Sequence, residues 1–211
     1  MTTVPPATLR LQPHPNAQAR LVLLHGWGAD ADDLLMLGER LARDIRTPLD
    51  LVSLQAPERH PQGIGRQWYG LFPPDWQAVP AAQQQLKSRL MALAEDGIPL
   101  QSTVVLGFSQ GAAMALASGC DLPLAGLIAC SGYPHPGWTA PTTRPPVLLI
   151  HGQQDDVVPS TASDELRQRL EDGKNPVHLD QFAGGHTIPD VILPSIKKAL
   201  DLWLGSTRDE S

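Results

Sequence analysis

The sequence predicts an α/β fold in which a mostly parallel central sheet carries helices on both faces. Three observations point there. Short runs rich in Val, Leu and Ile recur along the 211 residues and alternate with longer stretches of helical period. The runs are nearly continuous rather than alternating, as strands buried on both faces require. One of them, residues 103–106, leads through Gly107-Phe108-Ser109-Gln110-Gly111 straight into an alanine-rich helical segment, the order of a parallel crossover. At this length one well-buried core is expected, so residues 1–211 read as a single domain in which 206–211 form a polar tail expected to fray.

The elements follow in order. Residues 8–11 are a candidate antiparallel edge strand and 21–24 the first buried strand. Asp30, Asp32 and Asp33 crowd a helix start near Asp32, where carboxylates can accept the orphan amides of a first turn. A second strand covers 51–54, and the loop 56–76 then gathers Trp68, Tyr69, Phe72 and Trp76 in a chain only 5% aromatic. A helix begins near Ala81, a strand covers 103–106, and a helix begins at Gln110. After a strand at 124–129, the Pro-rich loop 131–146 carries Tyr133 and Trp138; it is too short to form a helical cap domain, so an open site is expected. A strand at 147–150 precedes a helix from Thr161, for which Ser160 is a candidate cap. The last pair is a strand at 177–182 and a helix from near Pro189, a residue suited to a first turn, with Gly205 just past its end.

Composition excludes several classes. A chain that is 42% hydrophobic and 18% charged is globular, and no apolar stretch reaches the length of a membrane span. The net charge of −6 comes without a Lys/Arg cluster, which argues against nucleic acid as a partner. The first six residues lack the pattern of a secretory signal, so a cytoplasmic protein is expected. Two cysteines, Cys120 and Cys130, are too few for a disulfide framework or a zinc site and read as buried thiols.

Chemistry concentrates at Ser109. Glycines two residues to either side let the chain bend sharply between strand and helix, presenting the hydroxyl beyond the end of the sheet. A serine hydroxyl is a weak nucleophile at neutral pH and needs a general base and a third group to orient that base. With this type of elbow the acid and then the histidine come later in the chain, each after a strand. Asp155, on the loop after strand 147–150, is the candidate acid, and His186, in Ala183-Gly184-Gly185-His186 after the following strand, is the candidate base. Of the other histidines, His178 falls inside a strand pattern, His25 and His151 precede glycines at strand ends and read as loop braces, and His14, His60 and His135 read as structural or solvated. The oxyanion of an acyl-transfer site needs donors, and the backbone amides of Trp27 and Gln110 are the candidates.

Four segments together, Leu24-His25-Gly26-Trp27-Gly28-Ala29-Asp30, residues 107–112, residues 151–159 and Gly184-Gly185-His186, resemble the phospholipase/carboxylesterase family, which includes the acyl-protein thioesterases. Gly65-Arg66-Gln67-Trp68 is similar to the wording of its bacterial carboxylesterases. The resemblance implies an α/β-hydrolase fold with no cap domain, hydrolysis of carboxylic esters or acyl thioesters, and no cofactor or metal. It carries Ser109, Asp155 and His186 over as a triad and Trp27 and Gln110 as oxyanion donors, and it sets the Trp68-Tyr69 loop beside the acyl site; for Trp68, Tyr69, Phe72 and Trp76 the residues themselves leave two readings open, a substrate-binding role in the acyl pocket or packing of the loop against the sheet edge. Substrates would be small esters or acyl thioesters, with acylated proteins among the candidates. Two departures stand out: Asp156 occupies a place often held by proline, which leaves the choice between Asp155 and Asp156 open, and the loop before Trp68 lacks the usual Asn-Gly-Gly, which leaves substrate choice open. Two other readings remain at this stage: a lactonase or peptidase using the same triad, and a non-catalytic binding or sensor protein on a hydrolase fold.

Overall fold

The computed structural model describes residues 8–10, 16–43, 45–141 and 143–205; the expectations for Leu11, His14 and the tail 206–211 lie outside these. The strands are β1 (Thr8–Arg10), β2 (Ala19–Leu24), β3 (Leu49–Leu54), β4 (Glu58–Arg59), β5 (Arg66–Gln67), β6 (Thr103–Phe108), β7 (Gly126–Cys130), β8 (Val147–Gly152) and β9 (Val177–Phe182). The helices are α1 (Leu35–Ala42), α2 (Val79–Ala94), α3 (Gln110–Gly119), α4 (Thr161–Asp172) and α5 (Leu193–Gly205).

Seven strands form one sheet in the order β1-β3-β2-β6-β7-β8-β9. Six of them run parallel, and β1 pairs antiparallel to β3 at the edge. Every residue of β2, β3, β7 and β8 is buried, which explains the unbroken apolar runs. Successive residues serve opposite faces: Val22 and Leu24 join the core under α2, α3 and α4, while Leu21 and Leu23 join the core under α1 and α5. Among the described residues no cap domain covers the sheet, and the fold is the α/β-hydrolase fold. Among the described residues no helix is long and apolar enough to cross a membrane.

Chain order reverses between β2 and β6: β3 lies to one side of this pair, and β7, β8 and β9 follow in turn on the other. At such a switch point the loops leaving the carboxyl ends of the two strands part and open a crevice. The turn at 25–28 and Ser109 leave the sheet at this point.

Several helix starts differ from the sequence expectation. Helix α1 begins at Leu35 rather than near Asp32, because the carboxylates turn back on their own loop: Asp30 accepts the amide of Asp32 at 3.0 Å and Asp33 accepts that of Asp30 at 3.2 Å. Ser160 makes no side-chain cap; its carbonyl accepts the Ser163 hydroxyl at 2.8 Å. Pro189 is extended and precedes a short 3-10 turn, Asp190–Ile192, that leads into α5, and Gly205 is the last helical residue rather than the one beyond. The long loop 56–76 contains the small β4–β5 hairpin.

Candidate active site

Ser109 joins β6 to α3 with φ 55° and ψ −119°, a left-handed conformation costing an L-residue roughly 1–3 kcal/mol. Close packing enforces the glycines around it. A Cβ on Gly107 would lie 2.3 Å from the Gly111 carbonyl oxygen, and one on Gly111 would lie 2.2 Å from that of Leu24. The turn is held by the Ser109 amide, which donates to the Cys130 carbonyl at 2.9 Å, and by the Ser109 carbonyl, which accepts from Ala112 and Ala113.

The loops after β8 and β9 bring Asp155 and His186 together, with His186 Nδ1 donating to Asp155 Oδ2 at 2.8 Å. The other carboxylate oxygen accepts the amides of Val157 at 3.0 Å and Val158 at 2.8 Å. Burial pushes this carboxyl up, but the hydrogen bonds from His186, Val158 and Val157 outweigh it and hold Asp155 below the usual carboxylate range. Asp156, the alternative acid, faces solvent. The two loops are stitched by the Gln154 amide donating to the Gly184 carbonyl at 2.9 Å, and Gly152 is required there because its Cβ would meet the Gly185 carbonyl oxygen at 2.3 Å. His151 braces the acid loop through a 2.9 Å bond from Nε2 to the Val158 carbonyl, with Asp155 Oδ2 at 3.3 Å.

Ser109 and His186 line one cavity of about 640 Å³, whose wall is chiefly apolar and includes Leu34, Leu71, Phe72 and Val158. Gly26 and Trp27 also line it. The Trp27 turn is fixed by a ladder in which the Gly28 amide donates to the Arg66 carbonyl and the Arg66 amide to the Ala29 carbonyl, each at 2.8 Å. Gln110 opens α3, so its amide is one of those that a helix leaves without a partner of its own. His25 braces from below: Nδ1 donates to the Gly26 carbonyl at 2.8 Å, Nε2 accepts the Ala56 amide at 3.1 Å, and burial lowers its pKa.

The sequence reading missed the side chain of Gln110. It is fully buried and clamps the aromatic loop, its Oε1 accepting the Trp68 amide at 3.0 Å and its Nε2 donating to the Tyr69 carbonyl at 2.8 Å. The available signal was an amide side chain at the head of a helix otherwise made of small and apolar residues.

Of Trp68, Tyr69 and Phe72, the last lines the cavity, and Trp68 and Tyr69 lie behind its wall in the core. Their polar atoms have partners there. Trp68 Nε1 donates to the His25 carbonyl at 2.9 Å, and the Tyr69 hydroxyl meets the Tyr133 hydroxyl at 2.7 Å and His135 Nε2 at 2.8 Å. His60 and His135 are buried, and burial brings His135 down to about 4. His178 is exposed beside Asp180. Cys120 and Cys130 are buried free thiols, each pushed up to about 12.

The profile of the phospholipase/carboxylesterase family matches residues 11–204. Acyl-protein thioesterase 1 of Yarrowia lipolytica is 30% identical over 163 residues, covering 66% of this chain and 70% of its own. That of Eremothecium gossypii is 26% identical over 226 residues, covering 95% and 96%. Among solved structures, esterase PE8 superposes with a TM-score of 0.82 at 33% identity over 95% of this chain and 99% of its own. The Bacillus cereus carboxylesterase superposes with a TM-score of 0.74 over 93% of each chain at 21% identity, a likeness of fold alone.

Proposed function

This chain belongs to the phospholipase/carboxylesterase family and is a carboxylic ester hydrolase, and from that premise we propose that it cleaves carboxylic esters or acyl thioesters through an acyl-serine intermediate. Ser109 is the nucleophile, His186 the general base and Asp155 the group that orients it. The observation that carries this reading is the 2.8 Å His186–Asp155 bond at the edge of the same cavity that receives the strained elbow serine. His186 takes the Ser109 proton as the hydroxyl oxygen attacks the carbonyl carbon, and Asp155 stabilises the imidazolium so formed. The amides of Trp27 and Gln110 receive the developing oxyanion; losing one such donor typically costs on the order of a hundredfold in turnover. His186 returns the proton to the leaving alcohol or thiol, and water then releases the acid by the same route. Because the base must be neutral, activity falls as the solution is made acidic.

The apolar wall suits an acyl chain, with Phe72 in contact with it and Trp68 and Tyr69 acting through the wall they support. The name of the fungal relatives makes acylated proteins candidate substrates alongside small esters. A cytoplasmic setting is part of the same proposal, in keeping with two unpaired thiols. The test is labelling by a fluorophosphonate together with hydrolysis of nitrophenyl esters and acyl thioesters of increasing length. Wild type is expected to label at Ser109 and to turn over, and Ser109→Ala to lose both, turnover by about 10⁴-fold or more. An unlabelled, inactive wild type would instead favour a binding role, and preferred cleavage of lactones or peptides would move the assignment to those bonds.

A further inference from the structure

A second cavity, of about 320 Å³, adjoins the first and is not used by the mechanism above. The two share Asp33, Leu34, Phe108 and His186, but Ser109, Gly26 and Trp27 line only the larger one. The shared boundary is a ridge in which the Phe108 and His186 rings pack with centroids 4.7 Å apart. Beyond it the smaller cavity continues over the outer side of α1, past Met36, Leu37 and Ile188, toward the exposed Arg40–Asp190 ion pair at 2.9 Å.

We propose that this cleft is the subsite for the leaving alcohol or thiol, and that it takes an aliphatic stem followed by an uncharged polar group such as an amide. The inference rests on the catalytic reading above. In acylation the proton taken from Ser109 passes from His186 to the leaving oxygen or sulfur as its bond to the acyl carbon breaks, and that atom carries away the bonding electron pair. The leaving atom must therefore lie against His186 while the acyl carbon lies at Ser109. With the nucleophile, the Trp27 turn and most of the apolar wall in the larger cavity, the acyl chain occupies that side, and the leaving group crosses the ridge into the smaller one. Met36, Leu37 and Ile188 offer apolar contact to its first carbons. The paired charges of Arg40 and Asp190 can then offer both a donor and an acceptor to an amide, and Asp33 disfavours an anion.

The experiment crosses two variants with two substrate series. One series holds the acyl chain fixed and varies the thiol from methanethiol through butanethiol to N-acetylcysteamine; the other holds methanethiol fixed and lengthens the acyl chain. Met36 is 74% exposed, so Met36→Trp narrows the cleft without disturbing the core. It is expected to lower kcat/KM for the N-acetylcysteamine thioester relative to the methyl thioester by about tenfold, and to leave the optimum acyl length where it was. Met36→Ala is expected to move the thiol preference the opposite way, and Phe72→Ala to change the acyl profile alone. Unchanged thiol preference in both Met36 variants, or a shifted acyl optimum in either, overturns the assignment of the cleft. Turnover that survives Ser109→Ala overturns the catalytic reading beneath it, whatever the two series show.

Discussion

Gln110 does two jobs with separate parts of one residue, and they can be separated by substitution. Its amide belongs to the backbone at the head of α3 and survives any change except proline, whereas its side chain alone holds the Trp68 amide and the Tyr69 carbonyl. Gln110→Ala leaves both buried groups without a partner, so unfolding in urea is expected to show a loss of about 1–3 kcal/mol, with Ser109 still reactive toward a fluorophosphonate in the folded fraction. Loss of labelling without loss of stability would show that the side chain serves the chemistry directly. Asp155 offers a complementary case, because its carboxyl is held below the usual range by bonds it accepts. It therefore stays ionised where a neutral base is needed, and Asp155→Asn is expected to cut turnover by about 10⁴-fold by favouring the imidazole tautomer that carries its proton on Nε2, while the fold persists. Motif order pointed to Ser109, His186 and the acid loop, because a glycine elbow and strand-end loops are local patterns; between Asp155 and Asp156 it left a choice, and the 2.8 Å bond from His186 favours Asp155. The partners of Gln110 lie more than forty residues away in the chain, at |i−j| of 42 and 41, and no local pattern encodes them.

The two long loops behave as one element. Tyr69 from the first meets Tyr133 and His135 from the second, and Arg169 of α4 donates to the carbonyls of His135 and Trp138, so the rear of the cavity wall is closed by polar contacts between loops. The aromatic residues marked both loops in the sequence, but a loop histidine among prolines gives no sign that it is 3% exposed. That burial has a consequence for pH. His135 titrates near 4 in the folded protein, whereas an unfolded histidine takes up a proton near 6.5, so between these values the unfolded chain binds more protons. Stability is then complete above about pH 6.5 and falls by roughly 3 kcal/mol as the pH drops to about 4. His25, also lowered by burial, adds to the loss in the same direction. Urea unfolding at pH 7 and pH 4.5 should show the decline, and a neutral replacement, His135→Gln, should make it shallower; an equal decline in both proteins would remove His135 as its source.

Across the whole molecule the two ends of the sheet carry different burdens. The carboxyl ends of β2, β6, β8 and β9 lead into the loops of the candidate site, while the opposite end of the central strands holds a buried ion pair in which Arg20 Nε meets Asp50 Oδ2 at 2.7 Å. Arg20 and Asp50 face each other in the β2–β3 register, and Arg20 also donates to the Leu93 and Ile98 carbonyls, tying the end of α2 to the sheet. The class, the mostly parallel character of the sheet and the approximate positions of its buried strands were legible because apolar runs and turns are local. This pair was not, since the sequence reading starts the two strands at residues 21 and 51, one residue past each partner, and a single sequence does not reveal which strands are neighbours. Removing one charge strands the other away from water, so Arg20→Ala is expected to cost about 3–5 kcal/mol in urea unfolding. Replacing both, as Arg20→Met with Asp50→Leu, is expected to recover much of that loss because no unpaired charge remains. In either variant the rate of Ser109 labelling, measured where the protein is folded, should match wild type, because the elbow is anchored by Gly107, Gly111 and Cys130 at the far end of the strands. A labelling rate that falls in step with stability would mean that the two ends of the sheet are mechanically coupled, and the division of labour argued here would fail.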